Sequence, residues 1–187
     1  MCRMKKKKTS KKQLLILIAV LILFIIRYGI SMNTSKDYES IYISDVAYMK
    51  LAKNKNVELI EKGDSFVYMA KDEIKVLGVE TPCKNINQDV VEQMGISDEL
   101  INETGNVKSK EQLQNLYMVN QSELIDTDEF NKPNFSTYLL RYKESNEEVI
   151  IFVYETKENS VVQIIKCSEG TFNDSEIENM YEGLGIY

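Results

Sequence analysis

The sequence has 187 residues, with 23 basic and 29 acidic side chains, no histidine and no tryptophan. Without histidine there is no Ser-His or Cys-His nucleophile pair and no histidine-liganded zinc site. An acidic protein is also poorly suited to binding a phosphate backbone, so no nucleic-acid partner is expected. The apolar fraction of 43% is that of a globular protein rather than a disordered chain.

The first thirty residues predict a membrane segment. A basic stretch at residues 1–13 precedes an unbroken apolar run from Leu14 to Ile26, and residues 14–30 together reach the lower length limit of a spanning helix. The run has no polar stripe that a soluble helix would turn toward water. Residues 14–30 are therefore interpreted as the contact with the membrane. The lysines predict a cytoplasmic tail at residues 1–13 and a domain outside the cell.

The fate of this segment has two interpretations. A basic stretch followed by a short apolar stretch also begins a cleavable signal peptide, and Gly29 and Ser31 are small enough for cleavage near Ser31. Arg27 and Tyr28 are instead typical of the interfacial anchors of a retained helix. The sequence leaves a single-pass membrane protein and a secreted protein as alternatives.

The charge is divided unequally along the chain. Residues 1–30 carry eight basic side chains and no acidic one, which leaves 15 basic and 29 acidic side chains in the remainder, a net charge of −14. A domain this acidic is repelled by anionic lipid and favours cationic partners. Solvated acidic surface is the simpler explanation of the same charge.

A polar linker at residues 31–37 leads into a predicted domain at residues 38–187. Residues 38–53 are predicted to form a helix, because apolar side chains recur there at helical spacing: Ile43, Val46, Ala47 and Leu51. The alternative is a strand at 39–43 followed by a helix capped by Ser44. Three short runs rich in β-branched and aromatic residues then predict two hairpins: 57–61, 66–70 and 74–79.

The rest of the predicted domain begins with helices and returns to strands later. Capping-box spacing at Asp89 and Glu92, and again at Ser109 and Gln112, predicts two short helices after Pro82, and a third short helix fits the residues from Asp98 to Glu103 between them. A loop containing Pro133 follows. Three further runs predict an antiparallel meander: 135–142, 149–154 and 161–167. A terminal helix is predicted from about Asn173 to Gly183. The fold class is thus α+β, with helices packed on a mainly antiparallel sheet made of two short-strand meanders.

Asp126, Asp128 and Glu129 are the candidate metal ligands, for calcium alone. Asp126 and Asp128 stand where positions 1 and 3 of a calcium loop would. Asn131 occupies the position that needs glycine and Thr137 the position that needs glutamate, so the pattern is incomplete. An acidic surface loop is the alternative interpretation.

Two other groups of residues are candidates for binding and for cross-linking. Tyr138, Tyr142 and Tyr154 form either an exposed aromatic platform for a peptide or glycan, or part of the core with their hydroxyls at its rim. Cys83 and Cys167 form either a disulfide in an oxidising compartment or two buried free thiols.

Motifs that would identify an enzyme are missing. The sequence contains no S-x-x-K, G-x-S-x-G, G-x-x-x-x-G-K or G-x-G-x-x-G, so no cofactor is expected and no catalytic residue is identified. The sequence favours a non-enzymatic binding or assembly domain of the cell envelope, anchored by residues 14–30, with a protein or another envelope component as partner. A small carboxylate-dependent hydrolase, secreted or anchored, and a structural subunit of a membrane complex are the alternatives.

Overall fold

The computed structural model describes residues 37–44, 47–83, 85–118, 122–155, 159–183 and 185–186. The chain divides into residues 1–38 and residues 39–187, and the fold given below is that of the second unit. The predicted tail at 1–13, the predicted span at 14–30, the possible cleavage site at Ser31 and nearly all of the linker lie outside the described residues. Among the described residues, no helix is long and apolar enough to cross a bilayer.

The described residues form two sheets and four α-helices. The strands are β1 (Tyr38–Tyr42), β2 (Ala47–Ala52), β3 (Glu58–Lys62), β4 (Phe66–Lys71), β5 (Ile74–Thr81), β6 (Glu123–Lys132), β7 (Phe135–Glu144), β8 (Glu147–Glu155), β9 (Ser160–Ser168) and β10 (Gly185–Ile186). The helices are α1 (Gln88–Met94), α2 (Asp98–Gly105), α3 (Lys110–Tyr117) and α4 (Asp174–Glu182). A single 3₁₀ turn at Lys53–Lys55 follows β2.

Seven of the strands form one antiparallel sheet in the order β3-β4-β5-β9-β8-β7-β6. The α+β class and the mainly antiparallel sheet are therefore confirmed. The two predicted meanders are not separate, because β5 pairs with β9 along its whole length, from Lys75 opposite Lys166 to Thr81 opposite Ser160. The residues from Ile150 to Val153 of β8 are fully buried, so this strand is covered on both faces.

The helix predicted at residues 38–53 is wrong. The chain forms β1 and β2 instead, which belong to a small three-stranded sheet in the order β1-β2-β10. The alternative was correct for the strand at 39–43 but wrong for the helix after it, because Ala47–Ala52 form strand β2. The Ser44 hydroxyl, proposed as the cap of that helix, accepts a hydrogen bond from the Ala47 N–H at 3.1 Å. Ala47, Met49 and Leu51 are fully buried and alternate with more exposed residues, which is strand periodicity.

The large sheet separates two hydrophobic clusters. On the first face, every second residue of the strands packs against helices α1 to α3. Tyr68 and Leu140 of the sheet and Met94 and Leu113 of the helices belong to this cluster. On the second face, the intervening strand residues pack against β2 and α4, as Ile150 does with Met49 and Met180. Both faces of the sheet are thereby covered, which explains why the central strands are apolar on both sides.

The close approach of the small sheet depends on Gly78 in β5. A β-carbon at this position would lie 2.6 Å from the carbonyl carbon of Ile43 and 2.8 Å from its Cβ. Ile43 is itself fully buried. No other residue than glycine leaves room for this backbone, so the glycine fixes how the β1–β2 connection is seated on the second face.

Each α-helix has a polar N-cap. Ser97, Ser109 and Asn173 accept a backbone N–H of the first turn, and the Asn173 cap forms a full capping box with Glu176. The predicted capping box of Asp89 and Glu92 is replaced by Asn87, which accepts the N–H of Asp89. These caps compensate for helices of only seven to nine residues, which do not persist without packing.

Candidate interaction surface

Both edges of the seven-stranded sheet carry the same short sequence. Edge strand β3 contains Glu-Leu-Ile-Glu at residues 58–61, and edge strand β6 contains Glu-Leu-Ile-Asp at residues 123–126. Each strand has a bulge at its isoleucine, where the pairing with the neighbouring strand shifts by one residue. The leucine and isoleucine side chains of both strands are among the most exposed large apolar side chains in the described residues: Leu59 61%, Ile60 59%, Leu124 38% and Ile125 42%.

The strand β6 was missed by the sequence analysis, which placed a loop there. The side chains of β6 are exposed or half-buried on both faces of the sheet. The strand therefore lacks the alternation of buried apolar and exposed polar residues by which a strand is predicted. Its stability comes from pairing with β7 over nine residue pairs. The signal that could have found it is the turn at residues 133–134, which closes a hairpin between β6 and β7.

The candidate calcium ligands lie on β6 and do not converge. Asp126 stands opposite Arg141 and Asp128 opposite Leu139, on the second face, whereas Glu129 stands opposite Tyr138, on the first face. Successive side chains of a strand point to opposite faces. Asp126 and Asp128 also each accept the N–H of the following residue, at 2.8 and 2.7 Å. Within the described residues no group of three acidic or cysteine side chains could hold a metal ion.

The acids of the two edges differ in their partners. On β3, Glu61 accepts two hydrogen bonds from the Asn87 amide at 2.9 and 3.0 Å, and Glu58 lies 3.5 Å from the ammonium group of Lys71. On β6, Asp126, Asp128 and Glu129 form no ion pair with any described lysine or arginine. Asp126, Asp128 and Glu129 are therefore less compensated by described cations than Glu58 of β3 is.

The three candidate tyrosines belong to the core. Tyr138, Tyr142 and Tyr154 are 3%, 5% and 1% exposed, so they do not form an exposed platform. Tyr138 and Tyr142 pack on the first face and Tyr154 on the second. The Tyr154 hydroxyl donates to Gln163 Oε1 at 2.9 Å inside the core, and the Tyr138 hydroxyl donates to Glu155 at 3.0 Å nearer the surface. Core packing is thus the interpretation that holds.

The two described cysteines are buried free thiols. Cys83 belongs to the cluster on the first face and Cys167 to the cluster on the second, so the sheet lies between them. Burial raises the pKa of the Cys167 thiol to about 12, with a further contribution from the Glu148 carboxylate. A thiol with so high a pKa stays protonated at neutral pH and is a poor nucleophile.

A buried ion pair stands beside Cys167. The Arg141 guanidinium contacts Glu148 Oε1 through Nε at 3.0 Å and Nη2 at 2.9 Å, and its Nη1 donates to Asp174 at 2.8 Å. Burial acts to lower the pKa of Arg141, but the hydrogen bonds that its guanidinium donates to Asp174 and Glu148 outweigh it, so the pKa lies above its ordinary value. Because Asp174 is the first residue of α4, this network holds that helix to the sheet.

A cleft of about 380 Å³ opens next to β3. The side chains of Ser65 and Cys83 are 3.1 Å apart near it, and the Asn102 amide clamps the backbone N–H and carbonyl of Cys83 at 2.7 and 2.9 Å. Among the described residues that line the cleft, Asp64 is the one carboxylate, whereas a carboxylate-dependent hydrolase needs two about 5–10 Å apart. The lining residues are Gly63, Asp64, Ser65, Pro82 and Asn85.

Comparisons with known proteins add little beyond this geometry. No protein-family model matches the sequence, and no curated protein is similar to it. Among solved structures, the fold is similar to the solution structure of cyanobacterial PsbP (CyanoP) from Synechocystis sp. PCC 6803. The TM-score is 0.46 at 10% sequence identity, over 81% of this chain and 93% of that one. At this identity and TM-score the comparison carries no inference about function.

Proposed function

We propose that residues 38–187 form an extracytoplasmic binding or assembly domain of the cell envelope, tethered to the membrane by residues 14–30. The observation that carries the proposal is the edge strand β6, which combines exposed Leu124 and Ile125 with three acids, Asp126, Asp128 and Glu129, that form no ion pair among the described residues. Large apolar side chains on a strand at the edge of a sheet are a liability unless something binds them. The basic stretch before the apolar run supports the orientation, with the domain outside.

Thiol labelling in intact cells tests the orientation. Cys83 and Cys167 are buried, so in the folded protein they serve as silent background for a membrane-impermeant maleimide. The variant Asn146→Cys, made together with Cys2→Ser, places a thiol in the exposed turn between β7 and β8. We expect this variant to be labelled in intact cells. The unsubstituted chain, with Cys2, should be labelled only after permeabilisation, and the reverse pattern would contradict the proposal.

Site-specific photo-crosslinking tests the binding role. A photoreactive amino acid in place of Ile125, and separately in place of Ile60, samples both edges of the sheet in the full chain. We expect a discrete crosslinked envelope component from at least one position. A matched probe at Asn134, in the exposed turn after β6, controls for collisions. Crosslinks no stronger than those from Asn134 at either edge would show that these edges do not bind a partner in the cell.

Mass spectrometry of the mature N-terminus separates the tethered form from the released one. A chain that begins at or near Met1 in the membrane fraction supports the tether. A chain that begins near Ser31 in the culture medium would replace the anchored domain by a secreted one, because residues 14–30 would then have been removed as a signal peptide.

A further inference from the structure

We infer that β6 binds an extended, basic segment of a partner protein, which adds to the large sheet as an eighth strand. The inference rests on the proposed function and names the partner's chemistry. Strand addition uses the main-chain groups of an edge strand for affinity and the alternating side chains for specificity. β6 offers ten residues at an edge of the sheet, twice the length of β3 at the other edge.

The backbone of β6 has a feature that links strand addition to charge. The N–H groups of Thr127 and Glu129 donate to the carboxylates of Asp126 and Asp128. Alternate residues of an edge strand direct their N–H groups away from the paired strand. A basic side chain of an added strand would attract the aspartate carboxylate away from the backbone N–H that it now accepts. That N–H could then donate a hydrogen bond to a carbonyl of the added strand. A neutral or acidic segment carries no positive charge that would draw the two aspartates away from these N–H groups.

The charges of β6 define where the basic residues must stand. Asp126 and Asp128 lie two residues apart on one face of the sheet, so an incoming strand satisfies both with basic residues at alternate positions. The nearest cation on β7, Arg141, is already committed to Glu148 and Asp174. Leu124 and Ile125 are exposed at the start of β6, so we expect apolar side chains at the end of the segment that lies beside them.

A second copy of the chain fits this edge poorly. Antiparallel pairing of two β6 strands centred on Thr127 would place Asp126 of each copy opposite Asp128 of the other, and like charges directly opposite each other are destabilising. β3 of another copy also brings two acids, Glu58 and Glu61, against one lysine, Lys62. Because acids outnumber lysines on each edge, a basic segment of a partner protein complements Asp126 and Asp128 better than either edge of a second copy does.

Peptide binding to the full chain in detergent tests the inference. The probe is a fluorescent ten-residue peptide in which lysine alternates with valine, and binding is followed by fluorescence anisotropy at low and high salt. We expect saturable binding that weakens as salt rises, because exposed charges are screened. A peptide with glutamate in place of lysine should not bind. A third peptide, methylated on every backbone nitrogen, keeps its charges but cannot donate hydrogen bonds to β6 and should bind at least tenfold more weakly.

The repeated edge sequence supplies a matched pair of variants. Leu124→Ser with Ile125→Ser, and separately Asp126→Asn with Asp128→Asn, should each weaken binding about tenfold, the size expected for two cross-strand pairs. Leu59→Ser with Ile60→Ser makes the same change on β3 and should alter binding less than twofold. Far-ultraviolet circular dichroism confirms that each variant is folded.

Three results would overturn the inference: no binding of the lysine peptide, equal binding of the methylated peptide, or equal loss in the β3 variant. These outcomes are distinct from failure of the proposed function. Crosslinking from Ile60 to an envelope component, without peptide binding at β6, would leave the binding domain in place and remove only the basic strand partner.

Discussion

The carboxylate of Glu148, 2% exposed in its side chain, lies 2.9 Å from the guanidinium of Arg141, which is 7% exposed. Arg141 is the one arginine in residues 28–187. Its third contact, to Asp174, involves a carboxylate that is 97% exposed. The same arginine therefore makes one buried and one solvent-facing ion pair, and the two should differ greatly in their contribution to stability.

We predict that Arg141→Met destabilises the fold by about 3–5 kcal/mol, because it leaves the Glu148 charge buried without a partner. Asp174→Asn removes the exposed pair and should cost less than about 1 kcal/mol. Urea denaturation of the full chain in detergent, followed by circular dichroism, measures both. The double variant Arg141→Met with Glu148→Met should recover most of the loss. A double variant as unstable as Arg141→Met alone would show that the buried pair is not the cause.

Two buried tyrosines give a second matched pair. Tyr154→Phe removes the donor to Gln163 and should cost about 1–3 kcal/mol, since the amide oxygen loses its partner inside the core. Within the described part of the chain the buried Tyr181 hydroxyl has no hydrogen-bond partner. Tyr181→Phe should therefore be neutral or stabilising by up to about 1 kcal/mol. Equal losses in the two variants, measured by the same denaturation, would contradict this distinction.

Gly78→Ala should destabilise the protein by more than about 2 kcal/mol, because the new methyl group would meet the backbone of Ile43. The control is Gly170→Ala, where a methyl group meets nothing within 4 Å and the cost is that of a φ of +74°. That cost is about 1 kcal/mol. Thermal denaturation compares them. A Gly78 variant as stable as the Gly170 variant would mean that the β1–β2 connection moves freely on the large sheet.

Stability should fall at alkaline pH. Burial raises the pKa of Tyr117 to about 12, and burial together with the Glu155 carboxylate raises the pKa of Tyr138 to about 12. Burial also raises the pKa of Cys167 to about 12. These groups keep their protons in the folded state at pH values where the unfolded chain has lost them. The unfolding free energy is therefore unaffected below about pH 8 and decreases between about pH 9 and 12.

Absorbance at 295 nm and circular dichroism, recorded in one titration, check this expectation. Tyrosinate from the buried residues should form together with the loss of secondary structure. Formation of all the tyrosinate while the secondary structure persists would show that the hydroxyls of Tyr117 and Tyr138 reach solvent in the folded state.

The hydrophobic pattern of the sequence decides which strands can be predicted from it. Strands β4, β5, β7, β8 and β9 were predicted because their residues are β-branched or aromatic and lie between turn-forming residues. β2 was mistaken for a helix because Ile43, Ala47 and Leu51 satisfy helical spacing as well as strand spacing. β6 lacks any such pattern, and the pairing of β5 with β9 depends on residues far apart in the chain, which local patterns do not encode.

The candidate surface was the part that sequence alone could least predict. The acids of β6 were noticed, but as a calcium loop, because a loop and an edge strand share the same exposed composition. Leu124 and Ile125 are exposed at the bulge that interrupts the pairing between Leu124 and Asp126, and the sequence pattern does not reveal this bulge. The buried tyrosines required knowledge of which strand faces are covered, and here both are.

The pairing of β5 with β9 has a consequence for the order in which the protein is made. Thr81 and Ser160, joined by a hydrogen bond from the Thr81 hydroxyl, are 79 residues apart. Until the ribosome has added β9, strands β3, β4 and β5 are present but β5 lacks its partner on the side away from β4. The edge of β5 that pairs with β9 therefore stays accessible to strands of other chains until β9 has been synthesised. Pairing of β5 with a strand of another chain therefore competes with folding while the protein is being synthesised.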